Sequence, residues 1–273
     1  VHIIYGVPIT WEYDELRYAR LVAERFGTDH HELVVRPDAA AILPKLAWHY
    51  DEPFGDSSAV PTYYVAQMTR QYVTVALNGD AGDENFGGYD RYVANLLAAS
   101  FDRWPGAGLL RHAIRGGLRL WPRSGRRRTL FSRGRRFLEG LVELPERRYA
   151  RWFCHFYGER MGELCSPEFR AAVADADGLE VLLAAYRESD APDFADATLG
   201  VDVALYLPDD LLVKVDIASM AHSLEARSPF LDHEFMEFAA TIPSDLKLKG
   251  RTQKYILKRA LRGLLPESIL HRP

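Results

Sequence analysis

Cysteine is scarce in this sequence. Its 273 residues hold only two, Cys154 and Cys165, too few for a disulfide framework and without zinc-ligand spacing. Both read as reduced, mostly buried thiols, and a cytoplasmic protein is the expectation. Long apolar runs are missing too: no stretch reaches the length that spans a bilayer, and no signal peptide opens the chain. Nor is charge of one sign in excess. The formal net charge of −4 gives no whole-chain argument for a nucleic-acid or membrane partner. The nine histidines show no HExxH or other metal spacing, and no internal repeat is present. What remains is an ordinary globular composition, 48% hydrophobic and 26% charged, at a length that suits one large domain or two small ones. The first residue is Val1, already inside a strand-like run, which reads as a fragment of a longer protein.

Hydrophobic periodicity organises the chain. Residues 1–5 are β-branched and short, bounded by Gly6 and Pro8, and predict a buried strand. Leu16, Ala19, Leu21, Val22 and Phe26 recur at near-helical spacing, and Gly27 stops the helix over 13–26. Residues 31–35 alternate as the next strand. Helices follow over 37–50 and 61–70, then a strand over 72–77. Strand and helix alternating in this way predict an α/β fold, a parallel sheet with helices on both faces. The character changes after Tyr92. Residues 93–195 carry helical periodicity with almost no strand signal, and residues 196–273 are again helical, broken at Pro208, Pro229, Pro243 and Gly250. The organisation is one α/β nucleus over 1–92, a helical insertion over 93–195 and a C-terminal helical segment over 196–273. The arginine-rich stretch 111–136 reads as a solvated, partly flexible part of the insertion rather than a polyanion site, because aromatic interleaving is thin.

The sharpest local signal is Asn78-Gly79-Asp80-Ala81-Gly82-Asp83-Glu84, then Asn85-Phe86-Gly87-Gly88-Tyr89. It follows the apolar strand directly, and in open α/β sheets ligands bind outside the carboxyl ends of strands. Gly79 and Gly82 allow a sharp turn and close backbone approach. Asp80, Asp83 and Glu84 put three carboxylates in one loop, which repel unless a cation or polar ligand offsets them. Oxygen ligands of this kind suit magnesium; a solvated acidic turn is the alternative, and Glu84 alternatively satisfies donors at the next helix start.

The run 77–89 resembles the second ATP-site motif of the glutamine-hydrolysing asparagine synthetases, whose relatives include β-lactam synthetase. Four further stretches match in the same order. They are Tyr13-Asp14-Glu15 through Phe26-Gly27-Thr28-Asp29-His30-His31-Glu32; Trp48-His49-Tyr50-Asp51-Glu52-Pro53-Phe54 with Asp56-Ser57-Ser58-Ala59; Leu207-Pro208-Asp209-Asp210 through Lys214-Val215-Asp216, then Ser219-Met220-Ala221 and Glu225-Ala226-Arg227-Ser228-Pro229-Phe230-Leu231-Asp232; and Lys254-Tyr255-Ile256-Leu257. Together they cover most of the chain outside its middle third.

This resemblance implies a fold of the adenine-nucleotide α-hydrolase, or ATP pyrophosphatase, type. It implies ATP and Mg2+ as cofactors, and a reaction in which aspartate or a similar acid is adenylated and then attacked by ammonia. The ammonia would come from glutamine, hydrolysed by an N-terminal glutaminase domain that this chain does not contain; a homodimer is left open. Carried over residue by residue, Lys254 would meet transition-state charge at the α-phosphate, with Arg251 a weaker alternative, and Asp80 would orient ammonia or take its proton. Asn78, Gly79 and Tyr5 would meet the nucleotide, and Asp83 would bind it through magnesium. Asp51, Glu52 and Glu84 are substrate-side candidates, although Asp51 alone also suits a helix cap. Asp210 and Lys214 read as an i,i+4 helix pair, and Glu225 and Arg227 as fixing the loop at Pro229.

The sequence departs from the family pattern in three places. The Ser-Gly-Gly-x-Asp-Ser pyrophosphate loop is absent and would lie upstream of Val1, so the isolated chain is expected to be inactive. The strand end Ile3-Ile4-Tyr5-Gly6-Val7-Pro8 differs from the usual adenine edge, and the end at His271-Arg272-Pro273 comes early. Two other functions compete: a different ATP pyrophosphatase, acting on tRNA or closing a lactam, and a non-catalytic remnant that binds a nucleotide or partner.

Overall fold

The structure is a computed structural model that describes residues 2–6, 15–34, 38–121, 130–154, 162, 164–173 and 176–272. Of the sequence readings, Val1, the Val7-Pro8 edge, Tyr13-Asp14 and part of the arginine stretch lie outside these residues.

The opening strand is β1, His2–Gly6, and the alternating run is β2, His30–Val34. They pair in parallel with Tyr5 opposite Leu33. A parallel pair needs a long crossover, which helix α1, Leu16–Phe26, supplies. Gly27 ends α1 in the left-handed conformation, φ 60°, where a Cβ would be strained. Helix α2, Ala39–Tyr50, begins just after Pro37 because the Asp38 carboxylate accepts the Ala41 N–H at 3.1 Å. Helix α3, Ala59–Thr69, starts two residues before Pro61; the first helical N–H groups have no intrahelical acceptor, so a proline there costs no bond.

Strand β3 is Val75–Leu77, shorter than the run 72–77. The Tyr72 and Val73 N–H groups bond back to Thr69 O, so these residues finish α3 instead. β3 pairs in parallel with β4, Glu225–Arg227. Two readings of the last third are thereby corrected. Glu-Ala-Arg has no β-branched residue and was expected to be helical; it is a strand because β3 provides the ladder, which Glu225 N–H to Thr74 O and Asn78 N–H to Arg227 O extend. Pro208 was expected to break a helix. It lies inside a π-helix, Asp202–Leu212, that runs into the helix Val213–Met220. The wider turn, bonded i to i+5, relieves the clash a proline makes with an α-helical ladder. The parallel direction of the strands agrees with the α/β expectation, but among the described residues they form two separate pairs rather than one sheet.

The chain divides into two compact units, residues 1–86, 205–247 and 254–273 in the first and 87–204 and 248–253 in the second. The first has a core of Ile42, Leu46 and Tyr50 from α2, Ala59 and Tyr63 from α3, and Ala218 from Val213–Met220. The helical spacing of 42, 46 and 50 puts one face of α2 into this core.

The second unit is built of helices, including α5 (Asp90–Asp102), α6 (Ala107–Leu120), α7 (Leu130–Leu141) and α8 (Pro145–Phe153). Charge is deeply buried here. Asp202, 1% exposed, accepts on Oδ2 from the hydroxyls of Tyr92 and Tyr149 and from Arg91 at 2.8 Å. Arg148, fully buried, binds both oxygens of Asp102 at 2.9 Å and Gly140 O at 3.1 Å. Three described arginines of the 111–136 stretch reach backbone carbonyls. Arg111 donates to Leu141 O, Arg115 to Val142 O, and Arg135 to Leu118 O and Trp121 O. These guanidinium groups bind carbonyls at the ends of α6 and α7, which helices leave unpaired. No helix among the described residues is long and apolar enough to cross a membrane.

Candidate functional site

The acidic loop lies where the sequence put it, at the carboxyl end of β3. Loop residues 78–81 lead into the short helix α4, Gly82–Phe86. Asn78 and Asp80 fold the loop onto itself: Asn78 Nδ2 donates to Asp80 Oδ2 at 2.7 Å, and the Asp80 N–H to Asn78 Oδ1 at 3.3 Å. Ser228, next after β4, donates its hydroxyl to Asp80 O at 2.6 Å. The β3–β4 pairing thus fixes the loop from its far side.

The turn is not made by its glycines. Among the described residues the left-handed positions here are Ala81, φ 66°, and Gly87, φ 68°, not Gly79 or Gly82. Ala81 is 1% exposed, and its strained backbone is held by the packing around it. A Cβ built on Gly79 meets no atom within 4 Å, so open space adjoins the backbone there.

Lys254 reaches this loop from the other end of the chain. Its Nζ stands 2.9 Å from Asp83 Oδ1, with the two side chains 31% and 37% exposed. Its backbone is left-handed, φ 50°, and its N–H donates to Phe86 O at 3.2 Å. Two non-glycine residues with left-handed backbones, Ala81 and Lys254, thus belong to this site, a pattern that concentrates at functional sites. Asp80 is half-buried. Burial raises its carboxyl pKa, and Lys214 and Asn78 offset that only in part, with Asp83 adding to the rise. The outcome is a carboxylate displaced toward the range useful for proton transfer.

The other candidates are distributed around it. Glu84 is 1% exposed in the first turn of α4, so it faces the interior. Asp51 is the C-cap of α2, left-handed at φ 57°, with its N–H on Ala47 O. Asp51 and Glu52 line a separate cavity of about 710 Å3 beside Tyr50, Phe54 and Asp56. Tyr5 lies in β1. Glu225 and Arg227 pair with each other at 2.7 Å on the exposed edge of β4.

Sequence reasoning missed a second ionic centre. Lys214 does not use Asp210 as its ion-pair partner. Its Nζ binds Asp56 Oδ2 at 2.7 Å, 158 residues away in sequence. Asp56 also accepts the Ser58 N–H at 2.8 Å and hydroxyl at 2.6 Å. Burial raises the Asp56 pKa, but the bonds from Lys214 and Ser58 outweigh it and hold the carboxyl below its ordinary value. Both residues stand inside the matched stretches; no local spacing signals the pair.

Among the described residues no three histidine, cysteine or acidic side chains gather into a metal cage. Asp83, 37% exposed, is an accessible carboxylate of the loop. One carboxylate suits magnesium, which keeps several waters and shares phosphate oxygens, so Asp83 fits such an ion as a single anchor.

Comparison with known proteins identifies the family. A family model described as asparagine synthase matches residues 6–273. A putative glutamine-hydrolysing asparagine synthetase of Mycobacterium tuberculosis is 36% identical over 96% of this chain and 38% of its own. Asparagine synthetase (glutamine-hydrolysing) 1 of Bacillus subtilis is 31% identical over 95% of this chain and 39% of its own. The chain thus spans about two-fifths of the length of these relatives. Amidase chyE of Penicillium rubens is 24% identical over 94% of the chain. With a family match from residue 6 to the last and relatives similar along nearly its whole length, this chain belongs to the asparagine synthase family.

Proposed function

We propose that the chain carries the ATP-dependent synthetase activity of a longer amide-forming ligase, with the ATP pyrophosphatase fold. Its α/β nucleus is residues 1–92, its helical insertion 93–195 and its C-terminal segment 196–273. The acid substrate is aspartate or a similar acid. Its side-chain carboxylate displaces pyrophosphate from ATP, forming an acyl-adenylate, and ammonia then displaces AMP to form the amide. Glutamine supplies the ammonia through a glutaminase domain of the same protein, in the cytoplasm.

The observation that carries this reading is the meeting of the Lys254 ammonium with the Asp80–Asp83 loop at the carboxyl end of β3. Lys254 offers a preorganised positive charge to the α-phosphate as negative charge develops there. Asp80, with its raised pKa, orients the incoming ammonia and takes a proton from it. Asn78 and Gly79 present the loop backbone to the nucleotide across the open space beside Gly79, and Tyr5 is the candidate on the adenine side. Asp51 and Glu52 are assigned to the acid's side of the site; Glu84, 1% exposed, is read instead as an interior residue of α4. Asp83 would hold a magnesium ion, whose charge neutralises phosphate oxygens.

Product analysis tests the reading. With the acid substrate present, the full-length protein is expected to convert ATP to AMP and pyrophosphate. ADP and phosphate as products would overturn adenylation.

A further inference from the structure

Lys214 is a cation that the protein buries without satisfying. The residue is 8% exposed, in the first turn of Val213–Met220. An ammonium has three N–H donors. One goes to Asp56 Oδ2 at 2.7 Å, and the other two have no acceptor among the described residues. The charge is nonetheless held firmly. Ser58 fixes Asp56 through two hydrogen bonds, and the Tyr50 hydroxyl donates to Lys214 O at 2.9 Å.

A purely structural role accounts poorly for this arrangement. Val213, Ile217 and Ala218 of the same helix pack into an apolar core, where apolar residues in place of both Lys214 and Asp56 would avoid the cost of burying an ion pair. The surroundings are also unbalanced in charge. Asp51, Glu52, Asp56, Asp80 and Asp83 place carboxylates along the two loops, and an anionic acid would be repelled there without a cation. Lys254 is already bonded to Asp83. Lys214 is the more deeply buried of the two ammonium groups, and it is the principal positive charge acting on Asp80. Val213–Met220 packs on both α3 and β4, and β4 leads to the Ser228 hydroxyl that holds Asp80.

We propose that Lys214 is a substrate-binding residue: its ammonium, anchored by Asp56, holds a carboxylate of the acid substrate beside Asp80. The inference deepens the synthetase reading and rests on it. Lys214 would contribute binding shared by ground and transition states, so its loss should appear in the KM for the acid more than in turnover.

The experiment is acid-dependent ATP–pyrophosphate exchange by the full-length enzyme, with thermal melting in parallel. Lys214→Met is expected to raise the acid KM by about ten- to a hundred-fold, the range for losing hydrogen bonds to a charged group. The ATP KM should stay within about two-fold, while the melting temperature should fall, because Asp56 loses its partner. Lys214→Arg should recover part of the acid affinity. An unchanged acid KM with a lowered melting temperature would show that the lysine serves the fold, and would overturn the inference. If Lys214→Met does not fold, Asp56→Asn decides: a raised acid KM supports the anchor, and an unchanged one overturns it. No exchange by the unsubstituted enzyme would overturn the proposed reaction itself, and Lys214 with it.

Discussion

Two regions of this chain handle charge in opposite ways. In the helical unit, Asp202 is buried to 1% exposure, and three donors from Arg91, Tyr92 and Tyr149 converge on one of its oxygens. Burial, together with the neighbouring negative charge, drives the pKa of both tyrosines up. Each stays a neutral hydroxyl that can only donate to the carboxylate. In the α/β unit, Asp80, Asp83 and Lys254 are only partly covered. Two residues here, Ala81 and Lys254, have left-handed backbones. The other oxygen of Asp202, Oδ1, is buried without a hydrogen-bond partner among the described residues, so the cluster of the helical unit concentrates its donors on Oδ2, whereas charge left half-open is available for chemistry. Lys214 falls between the two, buried like the first group and unsatisfied like the second.

The largest effect should come from breaking the sealed cluster. Asp202→Ala leaves Arg91 buried without its anion, and removal of one partner of a buried pair costs about 3–5 kcal/mol. Chemical denaturation should show this loss, while the protein that remains folded should keep near-normal turnover. A loss of stability below about 1 kcal/mol would mean that the cluster is not what holds the unit together.

The open cluster should respond in the reverse sense. Lys254→Ala should slow turnover by roughly a hundred- to a thousand-fold, about 3–4 kcal/mol of transition-state stabilisation, with little change in stability or in ATP binding. Lys254→Arg should not restore it fully, since a planar guanidinium places its donors differently from an ammonium. Near-normal steady-state turnover in Lys254→Ala would make this lysine a surface partner of Asp83 and nothing more.

A smaller effect should come from pH at the intermediate site. Hydrogen bonds hold the folded Asp56 carboxyl below its ordinary 3.8 despite burial. Its contribution to stability is therefore complete above that value and is lost as pH falls through the lower, folded one. Melting temperatures of the unsubstituted protein and Asp56→Asn should differ most near neutrality and converge below roughly pH 4. A gap that stays constant into acid would show that the Asp56–Lys214 bond contributes no pH-linked stability.

Much of the fold was legible because it is local. The β-branched opening, the helical spacing of α1, the Gly27 stop and the strand–loop–helix run through residues 75–86 each declare themselves within a dozen residues. The acidic loop and the order of five matched stretches together pointed to the family before any geometry was known. Within the site, Asp80, Asp83 and Lys254 were named from sequence, and the structure places them around one loop. The glycine reading fared less well, since the left-handed turn falls on Ala81.

What remained hidden depends on residues far apart in the chain. Glu225–Arg227 has no strand signal of its own and becomes β4 only where β3 offers a ladder. Pro208 reads locally as a helix breaker, yet a π-helix accommodates it. Arg111, Arg115 and Arg135 show in sequence no sign of the carbonyls at two helix ends that they bind. Lys214 has an i,i+4 acid in sequence and takes instead an aspartate 158 residues away. Periods of two and 3.6 residues are written in neighbouring side chains, so sequence alone determined the elements and the family. Strand pairing and burial of charge depend on which distant groups meet, and only the tertiary structure decided them.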